Sequence, residues 1–116
     1  VLAGLGLMQE FNLPVLTIIL NNTSYSAMRS AHRRDYPQGL AVNQQTFFGV
    51  NITPPPNYAK IAEIYGGYGE RLEKPSEIEP ALNRALEQVA AGKPAILDVL
   101  VERKDPRVRD MPEIIF

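Results

Sequence analysis

No cysteine occurs among the 116 residues, which excludes disulfide staples and thiolate metal sites. The single histidine, His32, cannot by itself build a zinc site or a histidine-based triad. Neither sign of charge is in excess. With 12 basic and 13 acidic residues the net charge is −1, so no global field points to nucleic acid or an anionic membrane surface. No apolar run approaches the roughly 20 residues of a bilayer-crossing helix. The start Val1-Leu2-Ala3-Gly4-Leu5-Gly6-Leu7-Met8 has the look of a signal h-region, but it lacks a basic n-region, an initiator Met and a small-residue cleavage site. It reads as a helix entered midway. A soluble, cytoplasmic chain without nucleic-acid or membrane partners is expected. At 45% hydrophobic residues, the length suits one compact domain.

What is present alternates between helical and extended patterns. Ala3 to Phe11 suits a short helix with Leu5 and Met8 inward, ended by Asn12-Leu13-Pro14. Val15 to Leu20 is nearly continuous β-branched and Leu character, the mark of a parallel strand buried on both faces. Ser24 to Arg34 suits a helix with Tyr25, Met28 and His32 on one side. A long irregular segment, Asp35 to Pro56, follows, and segments of this length are commonly lids or binding loops. Asn57 is placed to cap a helix bearing Ala59, Ile61, Ala62 and Ile64, which Gly66-Gly67 stops. Tyr68 to Leu72 suits a short strand. Ser76 and Glu79 have capping-box spacing ahead of the clearest helix, with Ile78, Ala81, Leu82, Ala85, Leu86 and Val89 at spacings of three and four, closed by Gly92. Pro94 introduces a last buried strand, Ala95 to Val101, and the charged tail Glu102 to Phe116 is expected to wrap a surface or a neighbouring subunit. This order implies an α/β fold in three layers, a mostly parallel sheet with helices on both faces.

The feature that points to chemistry is the end of the first strand, Leu16-Thr17-Ile18-Ile19-Leu20-Asn21-Asn22-Thr23-Ser24-Tyr25. A greasy strand has no structural need of paired amides at its carboxyl end, and in open α/β sheets that end is where ligands bind. Asn22 offers a side-chain oxygen and the turn after it a backbone carbonyl. Hard oxygen donors of this kind suit magnesium held partly by phosphate oxygens. The plainer alternative is that Asn21-Asn22 form a turn and cap the next helix.

The run Leu13-Pro14-Val15-Leu16-Thr17-Ile18-Ile19-Leu20-Asn21-Asn22-Thr23-Ser24-Tyr25-Ser26-Ala27-Met28-Arg29 resembles the second half of the thiamine diphosphate motif, which runs from Gly-Asp-Gly through a helix and a strand to Asn-Asn. The resemblance continues through the extended loop, the helix near Tyr58 to Tyr65, the Gly-Tyr-Gly turn, the long helix and the Pro-Ala-Ile-Leu-Asp-Val strand. The chain is thereby similar to thiamine diphosphate-dependent enzymes of the acetolactate synthase and benzoylformate decarboxylase group. Residues 1–116 would be the C-terminal portion of the diphosphate-binding (PP) domain, without its Gly-Asp-Gly half, which is expected before Val1.

That resemblance implies thiamine diphosphate and Mg2+ as cofactors and a 2-oxo acid as substrate, either decarboxylated or passed on by carboligation. It makes Asn22 a magnesium ligand through its side chain and Ser24 a ligand through its backbone carbonyl. Asn21 and Tyr25 would shape the turn and the diphosphate pocket. Ala27 and Met28 fall where relatives line the substrate cavity, with Phe47 and Phe48 as further candidates. Pyruvate decarboxylases carry a catalytic Glu at the position of Met28, so this chain departs from them, and a thioether there favours an apolar substrate group. No catalytic residue is assigned. The remaining domains of the same enzyme and a homodimer or homotetramer are implied as partners, and the fragment alone would bind cofactor weakly or not at all. The alternatives are a non-catalytic α/β module that binds a protein partner and a degenerate homologue.

The other candidates each have a plain reading. Arg29, His32, Arg33 and Arg34 would attract a carboxylate or diphosphate, or else form a solvated helix face paired with Asp35. Phe47-Phe48 and Tyr36 would close as a lid or pack beneath the loop. Gly4-Leu5-Gly6 is not a dinucleotide fingerprint, because no strand precedes it. Asp98 reads as a hydrogen-bonded structural residue near a strand end.

Overall fold

The computed structural model describes residues 2–102, so the expectation for the rest of the tail lies outside the described residues. These residues divide into two compact units, residues 2–21 with 56–101, and residues 22–55.

The first unit is a three-stranded, wholly parallel sheet in the order β1-β3-β2, formed by β1 (Leu16–Asn21), β2 (Tyr68–Leu72) and β3 (Ala95–Leu100). Leu16 faces Ala95 and Asn21 faces Leu100 across one seam, while Tyr68 also faces Ala95 across the other. Because side chains alternate along a strand, this register sorts the sheet into two faces. On one face Leu72, Ala95 and Leu97 form a core with Ala81 and Ala85 of helix α5 (Ile78–Ala90), and Leu16, Leu82, Val89 and Val99 pack against it. On the other, Ile96 packs with Leu5 of α1 (Leu2–Glu10) and Ala62 of α4 (Ile61–Ile64), joined by Met8, Ile19, Ile61 and Tyr65. The expected α/β architecture, with helices on both faces of a parallel sheet, is what the chain adopts.

Several local expectations need correction. Among the described residues β1 is not buried on both faces: it lies at one edge of the sheet, and Ile18 and Leu20 remain 49% and 70% exposed while Leu16 packs against the core on α5. It also runs one residue further than its apolar character, because the Asn21 carbonyl accepts from the Val101 amide at 3.0 Å. Ser76 does not cap the long helix: α5 starts from Glu77 without a side-chain cap, and the polar start of this segment lies one turn earlier, at Lys74. Glu77 accepts the amides of Glu73 and Lys74 at 2.9 and 3.0 Å, and Pro75 begins a 3-10 turn, Pro75–Glu77, that leads into α5. A proline favours the first helical position, so the 3-10 turn starts at Pro75 and the Glu77 carboxylate reaches back to the amides just before it. Ile64 is exposed rather than part of the apolar surface. Asn57 does cap, accepting the Ala59 amide at 3.1 Å ahead of a 3-10 turn, Tyr58–Lys60.

That turn lies directly on β2. A Cβ added at Gly69 would stand 2.0 Å from the Ala59 carbonyl oxygen, a distance no side chain tolerates. Gly69 is therefore a strand residue chosen for close backbone approach rather than part of a turn.

The second unit contains α2 (Ser26–Asp35) and a single helical turn, α3 (Leu40–Asn43), inside the segment expected to be irregular. Neither has a buried residue. Among the described residues, no helix is long and apolar enough to cross a membrane.

Candidate functional site

All three strands point the same way, so their carboxyl ends lie together at one end of the sheet. Side chains from each strand meet there around one short segment. Asn21 donates its Nδ2 to the Pro56 carbonyl at 3.2 Å, and Arg71 donates Nη1 to the same carbonyl at 3.3 Å. Asp98, fully buried, accepts the Tyr58 amide on Oδ2 at 3.0 Å. The expectation that Asp98 is a hydrogen-bonded structural residue is met.

The chain continues from Asn21 into the second unit, where Asn22 opens a tightly bonded turn. Its Oδ1 accepts the Ser24 amide at 3.1 Å, its Nδ2 donates to Ser26 Oγ at 3.1 Å, and the Ser24 and Ser26 hydroxyls are 2.6 Å apart. This is the local pattern by which Asn stabilises turns. Thr23, between them, adopts φ +50°, a left-handed conformation that costs a β-branched residue about 1–3 kcal/mol and persists only where neighbours impose it. The imposing partner is the loop that returns alongside. Ile52 donates its amide to the Thr23 carbonyl at 2.9 Å, Tyr25 donates to the Val50 carbonyl at 2.8 Å, and Ser24 pairs antiparallel with Asn51.

The donor chemistry of this turn fits a hard cation. Asn22 Oδ1 spends one lone pair on the Ser24 amide and keeps another, since an amide oxygen carries two. None of the hydrogen bonds that order the turn uses the Ser24 carbonyl. Among the described residues, no group of three or more His, Cys, Asp or Glu side chains is placed to hold a metal. A metal here would rest on these neutral oxygens and on ligands from elsewhere.

Along α2 the predicted substrate-side residues separate. Tyr25, Ala27 and Met28 are exposed at its start. Phe47 is instead packed under cations: the Arg29 and Arg33 guanidinium carbons lie 5.8 and 5.4 Å from its ring centroid, and the His32 ring meets it edge-on at 6.2 Å. Phe48 points away and is 93% exposed. The pair thus splits, one ring beneath the loop and the other on its surface. Arg29 and Arg33 also hold Asn51 and Gln45, at 2.5 and 3.3 Å. Arg34 pairs with Asp35, at 2.6 Å, and the bond holds that carboxyl below the usual carboxylate range. His32 Nδ1 lies 3.0 Å from the Met28 carbonyl of its own helix.

Sequence reasoning singled out both asparagines but missed Arg71 and the carbonyl of Pro56. The available signal was Asp98 itself, a carboxylate in a run of buried aliphatics that had to face a donor.

The oxygen-rich turn directly follows the carboxyl end of β1, the end of a parallel strand near which open α/β domains bind their ligands. The family model described as "Thiamine pyrophosphate enzyme, C-terminal TPP binding domain" matches residues 2–99, and the chain belongs to that family. It is similar to acetolactate synthase isozyme 3 large subunit of Escherichia coli (29% identical over 101 residues, 80% of this chain and 15% of the relative). It is also similar to a 2-hydroxyacyl-CoA lyase of Arabidopsis thaliana (29% over 93 residues, 80% and 15%) and to a probable acetolactate synthase large subunit of Methanococcus aeolicus (29% over 104 residues, 84% and 15%). The chain spans about 15% of the length of these relatives. No solved structure matches it.

Proposed function

We propose that this chain supplies the trailing half of the metal-diphosphate clamp of a thiamine diphosphate- and magnesium-dependent enzyme acting on 2-oxo acids. The observation that carries this is the Asn22–Ser24 turn. Directly after a parallel strand, it presents an amide oxygen and, among the described residues, a backbone carbonyl that none of the turn's hydrogen bonds takes up, on a backbone held through Thr23. Asn22 Oδ1 and the Ser24 carbonyl are the magnesium ligands. Asn21 and Tyr25 shape the turn and the diphosphate pocket. Ala27 and Met28, exposed at the start of α2, serve the substrate side together with Phe48, and Phe47 holds the loop that carries Phe48.

When bound, thiamine diphosphate supplies the carbanion stabilisation, and the protein supplies orientation and electrostatics. The relatives are named synthases and a lyase, which supports a decarboxylase or a carboligase without choosing between them. The other domains of the enzyme and a homodimeric or homotetrameric partner complete the site.

The test is a titration of the full-length protein with thiamine diphosphate, with and without Mg2+. Asn22→Ala is expected to weaken magnesium-dependent binding at least about 10-fold, the lower end of what even outer partners of a metal contribute. Binding equally tight in EDTA would remove magnesium from the proposal. No binding at all would leave the non-catalytic module.

A further inference from the structure

Asn21, Arg71 and Asp98 come from three different strands, yet all hold the segment Pro56–Tyr58. Asp98 stands between Ile19 and Arg71 in the sheet register, and Asn21 lies two residues beyond Ile19 on the same face. The Asp98 side chain is fully buried, and its Oδ1 has no hydrogen-bond partner among the described residues. Arg71 Nε is likewise buried without a hydrogen bond, 3.4 Å from a Glu73 carboxylate oxygen. Burying a carboxylate costs far more than burying the aliphatic residues on either side of it. Packing alone gives no reason for Asp here, but a fixed acceptor for the Tyr58 amide does. Asn21 has the same economy: its amide is spent on a loop carbonyl, and its main chain passes directly into Asn22.

We propose that Asn21, Arg71 and Asp98 are positioning residues for the metal ligand that follows them, a latch that clamps Pro56–Tyr58 and so fixes the peptide from which Asn22 departs. The two asparagines then have different work: Asn22 offers oxygen to the cation, and Asn21 holds the strand end that aims it. The inference rests on the reading of Asn22 as a magnesium ligand.

The experiment is a double-mutant cycle in the full-length protein, reading the Mg2+ concentration that half-saturates thiamine diphosphate binding, together with hydrogen exchange of the Tyr58 amide in cofactor-free protein. Asn21→Ala and Asp98→Ala should each raise the half-saturating Mg2+ about 10-fold, as loss of outer partners of a metal site does. The double variant should again show about 10-fold rather than about 100-fold, because residues serving one element are not additive. Asp98→Asn should restore near-normal Mg2+ dependence, since an amide oxygen still accepts the Tyr58 N–H. Exchange at Tyr58 should quicken in both Ala variants. Unchanged Mg2+ dependence in the single variants, or full multiplication in the double, overturns the latch. Should Asp98→Ala not fold, Arg71→Met takes its place in the cycle with the same expectations. A wild-type protein that binds thiamine diphosphate without regard to Mg2+ brings down the Asn22 reading and the metal-positioning role with it. Tyr58 exchange then decides separately whether the clamp itself exists.

Discussion

The two units of this chain are held together by different physics. In the sheet unit, Leu5, Leu72, Ala81, Ala85, Ile96 and Leu97 are buried to within a few per cent, and cohesion comes from apolar area removed from water. In the unit of residues 22–55, neither helix has a buried residue; beside the buried Val50, order comes from the Asn22–Ser24–Ser26 hydrogen bonds, the pairing with residues 50–52 and two guanidinium groups against Phe47. The first kind of cohesion is strong and chemically mute. The second is weak per contact but directional, which suits a turn proposed to aim oxygens at a metal. The difference places apolar cohesion in one unit and the proposed ligands in the other.

The largest expected effect tests the first half of that comparison. Leu97→Ala, in the middle of the core, should cost about 2–5 kcal/mol in denaturant unfolding, from lost burial and the cavity left behind. Next, Gly69→Ala forces a methyl against the Ala59 carbonyl and should cost about 1–3 kcal/mol by the same measurement, with the Tyr58–Lys60 turn displaced. Phe47→Ala removes two exposed cation–π contacts worth about 0.5–1 kcal/mol each. Limited proteolysis near residues 44–52 should quicken while the global unfolding midpoint hardly moves. A Phe47→Ala loss as large as that of Leu97→Ala would erase the distinction between the units.

The smallest effect lies on the sheet unit's surface. Glu70 of β2 binds Arg84 of α5 at 2.5 Å and also accepts from the Tyr68 hydroxyl, and Arg84 holds the Glu70 carboxyl below its ordinary value of 4.5. A depressed carboxylate stabilises the fold above its unfolded value and loses that contribution as pH falls through the lower, folded one. Arg84→Ala should therefore lower stability slightly at neutral pH, and the gap to wild type should close as the pH is brought well below 4.5. A gap that persists in acid would assign the effect to packing of the arginine stem.

Much of the fold was legible because local rules act over a few residues. Tyr68–Leu72 was recognisable from its flanking glycines, α5 from its apolar spacing and Gly92, and the Asn57 cap from its side chain. The 3-10 turn at Pro75–Glu77 was hidden because Ser76 and Glu79 have capping-box spacing, whereas in the structure Glu77 takes the amides before Pro75. The edge position of β1 was not legible either. An apolar run states that a strand has much to bury, but strand order decides which residues are covered.

The same division runs through the site. By itself, the sequence determined that an apolar strand ends in two amides, that oxygen donors follow within a turn, and that the run belongs with thiamine diphosphate enzymes. Side-chain chemistry and spacing suffice for that. Only the tertiary structure decided that Asn21 turns to the Pro56 carbonyl, that Arg71 and Asp98 join it from the other strands, and that Phe47 lies under arginines while Phe48 stays in water. Those contacts join residues 14 to 40 positions apart in the chain, and no local pattern encodes which of them will meet.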